Sequence, residues 1–214
     1  MEKVYSDSQF GPVILRKRRG IRRLSIRVHP VKGISISVPY LLPYSAALAF
    51  FKLKREWVMQ TVSRQKARYK DVPKAEPGQI EAMRRQAKAE LPVRLKELAD
   101  RYGFVYNRVT IKHNSTNWGS CSTRNNINLN LNIVRLPSPL RDYILLHELC
   151  HLRHHDHGPA FHLLLEHVCT DNILKLCDSG DCTAREIARK AATSKSRYPL
   201  DYVCSKAIKQ YPLI

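Results

Sequence analysis

Positions 143 to 157 of the 214-residue chain read YILLHELCHLRHHDH, with five histidines in eleven positions. His147 and His151 are four apart. On a helix their imidazoles leave the same face and can grip one ion. Glu148 follows the first of them, angled toward an open coordination position without being a ligand itself. A carboxylate placed there can take a proton from an activated water and pass it to a leaving group, while bound zinc lowers the pKa of that water toward ~7. These residue types at this spacing describe metal-assisted hydrolysis with one Zn2+ per chain.

A third ligand is needed, and His154, His155, His157, His162, Glu166 and His167 all compete for the place. His155 continues the row of His147 and His151, but three ligands along one rigid helix line cannot wrap a tetrahedral ion well. His157 serves if the helix stops near His154 and the chain doubles back, and Asp156-His157-Gly158-Pro159 has the turn residues for that reversal. His157 is the preferred ligand and Glu166, on the following helix, its main rival. The arrangement is the H-E-x-x-H of zinc peptidases. Its ligand spacing is that of metzincins, which have glycine where this chain has His154.

The elements that must hold these residues are partly legible. Ser138 suits an N-cap, Pro139 the first helical position, and Asp142 the first turn of the histidine helix. A further helix starts at Pro159 and carries Phe161, Leu164, Leu165 and Val168 on one face. Before the histidine helix, Ile127, Leu129, Leu131 and Ile133 alternate with Asn126, Asn128, Asn130 and Asn132, which predicts a strand with aliphatics on one side and amides on the other. Upstream, Leu24, Ile26 and Val28, then Ile34, Ile36 and Val38, predict a hairpin turning near Pro30 to Gly33. A helix is expected from Pro43 to about Lys70, broken by Pro73 and the Glu76 to Gln79 stretch. Another of about 25 residues closes at Gly103, with Pro92 inside it expected to kink or restart it. Residues 171–214 are polar and basic, and no fold is assigned to them.

Composition sets outer limits. No stretch approaches the ~20 apolar residues of a membrane span, and the N-terminus lacks an apolar signal region, so the expectation is a cytoplasmic protein. The six cysteines lack the tight spacing of structural zinc sites. Of the net charge of +19, residues 1–74 carry +13, with 17 Lys and Arg against 4 Asp and Glu. Such a field would attract nucleic acid, nucleotides or acidic proteins, yet no zinc finger, RNP pattern or helix-turn-helix accompanies it. A metal-dependent hydrolase of nucleoside triphosphates, or a non-catalytic nucleic-acid-binding metal protein, are the alternatives to a peptidase. Against the first, no P-loop and no carboxylate cluster for magnesium is present. Against the second, a structural zinc site has no need of Glu148.

The stretch from Asn117 to Phe161 resembles the YgjP-like metallopeptidase family, a relative of the SprT-like proteases. The shared features are Trp118 to Ser122 (WGSCS), the asparagines 128 to 132, Tyr143, His147 to His151, and His157 with Phe161. The resemblance extends through the hairpin at 22–39 and the KREWV helix, spanning roughly residues 15–170 of the sequence. It departs at Asn117, where the family often has a basic residue, and at His162, where it often has Trp. It implies an α+β fold with a zincin-like core, His147, His151 and His157 as ligands, Glu148 as general base, and a protein or peptide substrate. The expected organisation is a basic hairpin-and-helix segment at 1–75, the catalytic core at 76–170 and an extension at 171–214. The strand Asn126 to Val134 is then a candidate rail for substrate, with Asn128, Asn130, Asn132 and Trp118 as substrate-binding residues.

Overall fold

Alternating apolar residues in the first third fold into one sheet, and longer helical patterns beyond it wrap a second, smaller one. The computed structural model describes residues 2–29, 33–69 and 76–214. The chain divides into two units, Met1–Val72 and Pro73–Ile214.

The first unit has strands β1 (Glu2–Asp7), β2 (Gly11–Arg18), β3 (Ser25–His29) and β4 (Gly33–Pro39) in the order β1-β2-β4-β3. The expected apolar runs pair as an antiparallel β3 and β4, Ile26 opposite Ile36 and Val28 opposite Ile34. Most of the expected turn, Pro30 to Lys32, lies outside the described residues. Beside β4, β2 runs parallel. The face carrying Val13, Leu15, Ile34, Ile36 and Val38 packs against Ala47, Phe51 and Val58, which come from α1 (Tyr44–Leu53) and α2 (Arg55–Tyr69). One continuous helix was expected here. The chain leaves helical geometry at Lys54, and Arg55 then reaches Asp7 on β1 with two hydrogen bonds of 2.8 and 3.1 Å.

The second unit opens with α3 (Pro77–Tyr102), closed by Gly103 in the left-handed conformation. The helix does not restart at Pro92 but runs on through it. An interior proline costs about 3 kcal/mol. Leu91, Leu95 and Leu98 on the same helix are fully buried, at about 1.5–3 kcal/mol each, so packing outweighs the lost backbone bond. Strands β5 (Arg108–Lys112), β6 (Gly119–Cys121) and β7 (Asn126–Asn130) form a sheet in the order β5-β7-β6. The alternation predicted a strand to Ile133, but the side chain of Asn130 accepts the backbone N–H of Asn132 and starts a 3-10 turn, Leu131–Arg135.

Four helices follow: α4 (Ser138–Cys150), α5 (Pro159–Asp178), α6 (Cys182–Ala192) and α7 (Pro199–Ile208). Pro137, not Ser138, is the N-cap of α4, and the Ser138 hydroxyl bonds Asp181, the N-cap of α6. Residues 171–214 are not an appendage. The second helix continues to Asp178, and Ile187, Leu200, Cys204 and Ile208 belong to the same apolar cluster as Leu145, Leu149 and Phe161. No helix among the described residues is long and apolar enough to cross a membrane.

Candidate metal centre

Helix α4 is apolar almost all round, with Ile144, Leu145, Leu146 and Leu149 buried, so its polar residues point only where the fold has prepared a place. At its N-terminal end Asp142 receives two bonds from Arg94 of α3, 2.9 and 2.6 Å, and one of 3.0 Å from Asn172 of α5. These ties fix the helix between its neighbours. At the C-terminal end His147 and His151 face one way, their rings 4.9 Å apart. The helix stops at Cys150, His154 N–H closing back on the Cys150 carbonyl, and the chain reverses through Asp156-His157-Gly158 into Pro159.

That reversal brings His157 home. Its Nε2 is 3.1 Å from Nε2 of His147, and one ligand atom from each of His147, His151 and His157 lies within 4.8 Å of the others. Two nitrogens at about 2.05 Å from a tetrahedral zinc stand about 3.3 Å apart, close to the spacing of the His147 and His157 nitrogens. Nδ1 of His151 is 2.9 Å from the His154 carbonyl, which assigns its proton there and leaves Nε2 for coordination. Fully buried Phe161 touches all three imidazoles, stacking on His151 at 4.5 Å and meeting the edges of His147 and His157 at 4.9 and 4.8 Å. Burial, then the neighbouring His151 and His157, lowers the His147 pKa to about 3, and burial lowers that of His151. Both are held as neutral imidazoles, the form that binds metal.

Glu148 is 4% exposed, and its Oε2 has no hydrogen-bond partner. Burial raises its pKa to about 8. A Cβ on Gly119 of β6 would come within 2.5 Å of Oε1 and 2.7 Å of Cδ and Cγ, so glycine is what lets the strand edge lie against this carboxylate. Cys121, on the same strand, feels Glu148 as a second cause of its raised pKa, after burial. It lies near the carboxylate and is not one of the clustered ligands.

The remaining candidates are placed elsewhere. Both oxygens of Glu166 accept the N–H groups of Leu200 and Asp201 at 2.9 Å, so the rival third ligand instead caps α7. His155 is exposed and outside the cluster. Asn130 and Asn132 are buried at 1% and 0% exposure and are not open to a substrate. The Asn130 amide holds the carbonyls of Asn114 and Asn117 at 2.7 and 2.9 Å, which shapes the loop leading into β6. Asn128 bonds Ser120 across the strands, and half-buried Trp118 packs on the core. The candidate rail itself is the central strand, paired on both sides; the edge beside Glu148 is β6.

One flank escaped the sequence reading. Asp201 of α7 accepts from the Tyr143 hydroxyl at 2.6 Å and lies 2.7 Å from Nδ1 of His162. Tyr198 stacks on His162 at 5.4 Å, and His162 lies 6.3 Å from the His157 ring. The available signal was Pro199 followed by Leu200, Val203, Cys204, Ala207 and Ile208 at helical spacing.

Residues 74–173 match a family described as YgjP-like, metallopeptidase domain. No curated protein matches the chain. Among solved structures, the metallopeptidase zymogen abylysin of Pyrococcus abyssi is 25% identical, over 35% of this chain and 75% of that one, with a TM-score of 0.32.

Proposed function

We propose that the chain, whose residues 74–173 match a YgjP-like metallopeptidase family, is a zinc-dependent peptidase with a zincin-like core, His147, His151 and His157 as ligands and Glu148 as general base. One observation carries the reading: a buried, unpartnered carboxylate directly follows one of three converging imidazoles. A structural metal site has no use for such a group, which costs stability. A divalent ion held by the imidazoles would supply Lewis acidity, lowering the pKa of a water and polarising the scissile carbonyl. Three histidines suit zinc, and would also take cobalt, nickel or manganese.

The rest of the work belongs to the chain. Glu148 takes the proton of the attacking water and returns it to the departing nitrogen. A cation beside it favours its ionised form against the burial that raises its pKa. Phe161 holds the imidazoles, and Gly119 keeps the carboxylate's space clear. The edge strand β6 receives the substrate. Trp118 and Ser122 use their backbone toward β7, so Gly119 and Cys121 face outward. The Gly119 carbonyl is already met by the Asn117 amide at 2.8 Å, leaving Cys121 to lead pairing with an extended peptide.

The test is metal content by mass spectrometry together with hydrolysis of unfolded casein. About one zinc per chain is expected, lost in His157→Ala and kept in His155→Ala and Glu166→Ala, with hydrolysis abolished by Glu148→Gln. A wild-type protein that binds no metal when zinc is supplied, or a Glu148→Gln variant that still cleaves, ends the proposal.

A further inference from the structure

Residues 182–214 contain seven Lys and Arg against two Asp and Glu, a net +5. That is nearly all of the +6 carried by residues 75–214. Three of the seven cations border a groove. Helices α6 and α7 line a depression of about 580 Å³ with an aliphatic floor of Leu140, Ile187, Val203 and Ala207. Lys190, Lys195 and Lys206 stand around it, and Glu186 is its one carboxylate. Lys190 binds that carboxylate, and the Lys206 ammonium lies 5.8 Å from the Tyr202 ring centroid. Among the described residues no ion pair engages Lys195, Arg197 or Lys206. Cations in the last turn of a helix complement its dipole, which accounts for Lys190 and Lys206. It does not account for Lys195 and Arg197, which sit in the link between the helices.

That link also borders the metal centre. The Arg197 guanidinium lies 5.6 Å from the Tyr198 ring, and Tyr198 stacks on His162, which Asp201 holds beside His157. On α7, Asp201 faces this stack while its neighbour Tyr202 lines the groove. One short stretch, 195–202, therefore serves both places.

We propose that the α6–α7 groove recruits an acidic stretch of the substrate polypeptide and presents the adjoining residues to the metal centre past Arg197 and Tyr198. The inference rests on the peptidase reading and adds a substrate class to it. Carboxylates spaced by apolar side chains match a cationic rim over an aliphatic floor. A single-stranded nucleic acid fits less well, because base stacking needs a run of aromatic platforms and the floor is aliphatic, with Tyr202 and Tyr211 its two rings.

The experiment uses the full, zinc-loaded chain carrying Glu148→Gln. Its probes are a fluorescein-labelled peptide of alternating Glu and Leu, a matched Ser and Leu peptide, and an oligothymidylate, all read by anisotropy. Preferential, salt-sensitive binding of the acidic peptide is expected, weakened roughly tenfold by Lys195→Glu with Lys206→Glu. The milder Lys195→Gln with Lys206→Gln should weaken it in the same direction, with zinc content and melting temperature checked for each. In the otherwise wild-type enzyme, the ratio of kcat/KM for acidic over neutral peptides should fall with both pairs. Equal affinity for the two peptides, no response to the charge changes, or tighter binding of the oligonucleotide overturns the groove. Acidic-peptide binding without cleavage of any peptide by wild type removes the peptidase reading and keeps the groove's ligand class. Cleavage without acidic preference does the reverse.

Discussion

Asp142 and Glu148 stand near opposite ends of α4, 1% and 4% exposed, and the protein treats them in opposite ways. Asp142 has Arg94 on both oxygens and Asn172 on one. Glu148 is left with a bare Oε2 and a pKa raised to about 8. A buried charge without partners is costly, so the first carboxylate holds the fold together while the second is held by the fold at a cost. The difference separates a structural acid from one kept for a proton.

The largest break in that comparison is Glu148→Gln. Removing a general base should lower kcat by about 10²–10⁴-fold, while metal content stays as in wild type. Its stability signature has a definite sign. In EDTA-treated protein, the folded chain keeps a proton on Glu148 that the unfolded chain releases above the ordinary value of 4.5. The Glu148 contribution to stability should therefore fall as pH rises from about 4.5 to about 8, against the rise that neutral His147 supplies up to its ordinary 6.5, and the variant should lack that falling contribution. Urea midpoints across the range decide it. A slope unchanged in the variant would mean that Glu148 is solvated.

Asp142→Ala should do the opposite. It leaves Arg94 and Asn172 without their acceptor, at about 3–5 kcal/mol of unfolding free energy in urea titrations, with turnover per folded molecule retained at low temperature. Loss of turnover without loss of stability would erase the distinction between the two acids.

Gly119→Ala sharpens the contrast from outside the helix. The added methyl would sit 2.5 Å from Glu148 Oε1, and displacing a catalytic group by about 1 Å costs about 10²-fold. Stopped assays should show the loss in kcat. An alanine variant with full activity would mean that the carboxylate has room to move.

How much of this was legible follows from how far apart the partners lie in sequence. His147, Glu148, His151 and His157 fall within eleven positions, so helical spacing and turn chemistry bring them together without knowledge of the fold. Arg94 with Asp142, Gly119 with Glu148, and Asp201 with His162 depend on packing between distant segments. Local pattern offers no reason to join them. The asparagine strand shows the same limit: period two found its faces, but only the sheet order shows that β7 is central. Buried Asn130 therefore braces the loop into β6 rather than meeting a substrate. Similarly, Pro92 and Lys54 are places where propensity and packing disagree. Local preference would break the helix at the proline and continue it through the lysine, and the fold does the reverse.

The smallest test extends the comparison to the first unit. Asp7 is buried against Arg55 and also accepts the backbone N–H groups of Gln9 and Phe10. The Arg55 hydrogen bond, ahead of the opposing effect of burial, holds its pKa below the ordinary 3.8. A depressed carboxylate stabilises above its unfolded pKa, and that contribution is lost as pH falls through the lower folded value. Asp7→Asn should therefore be less stable than wild type at neutral pH, and the two should converge on acidification below about 3.8. Arg55 is 37% exposed on its side chain, so solvent and salt screen the pair and the gap should narrow in high salt. Thermal melts of both proteins at neutral and acidic pH would show it. A gap that stays constant across that range would assign the effect to the lost turn geometry at Gln9 and Phe10, and Asp7 would then resemble Asp142 only in burial.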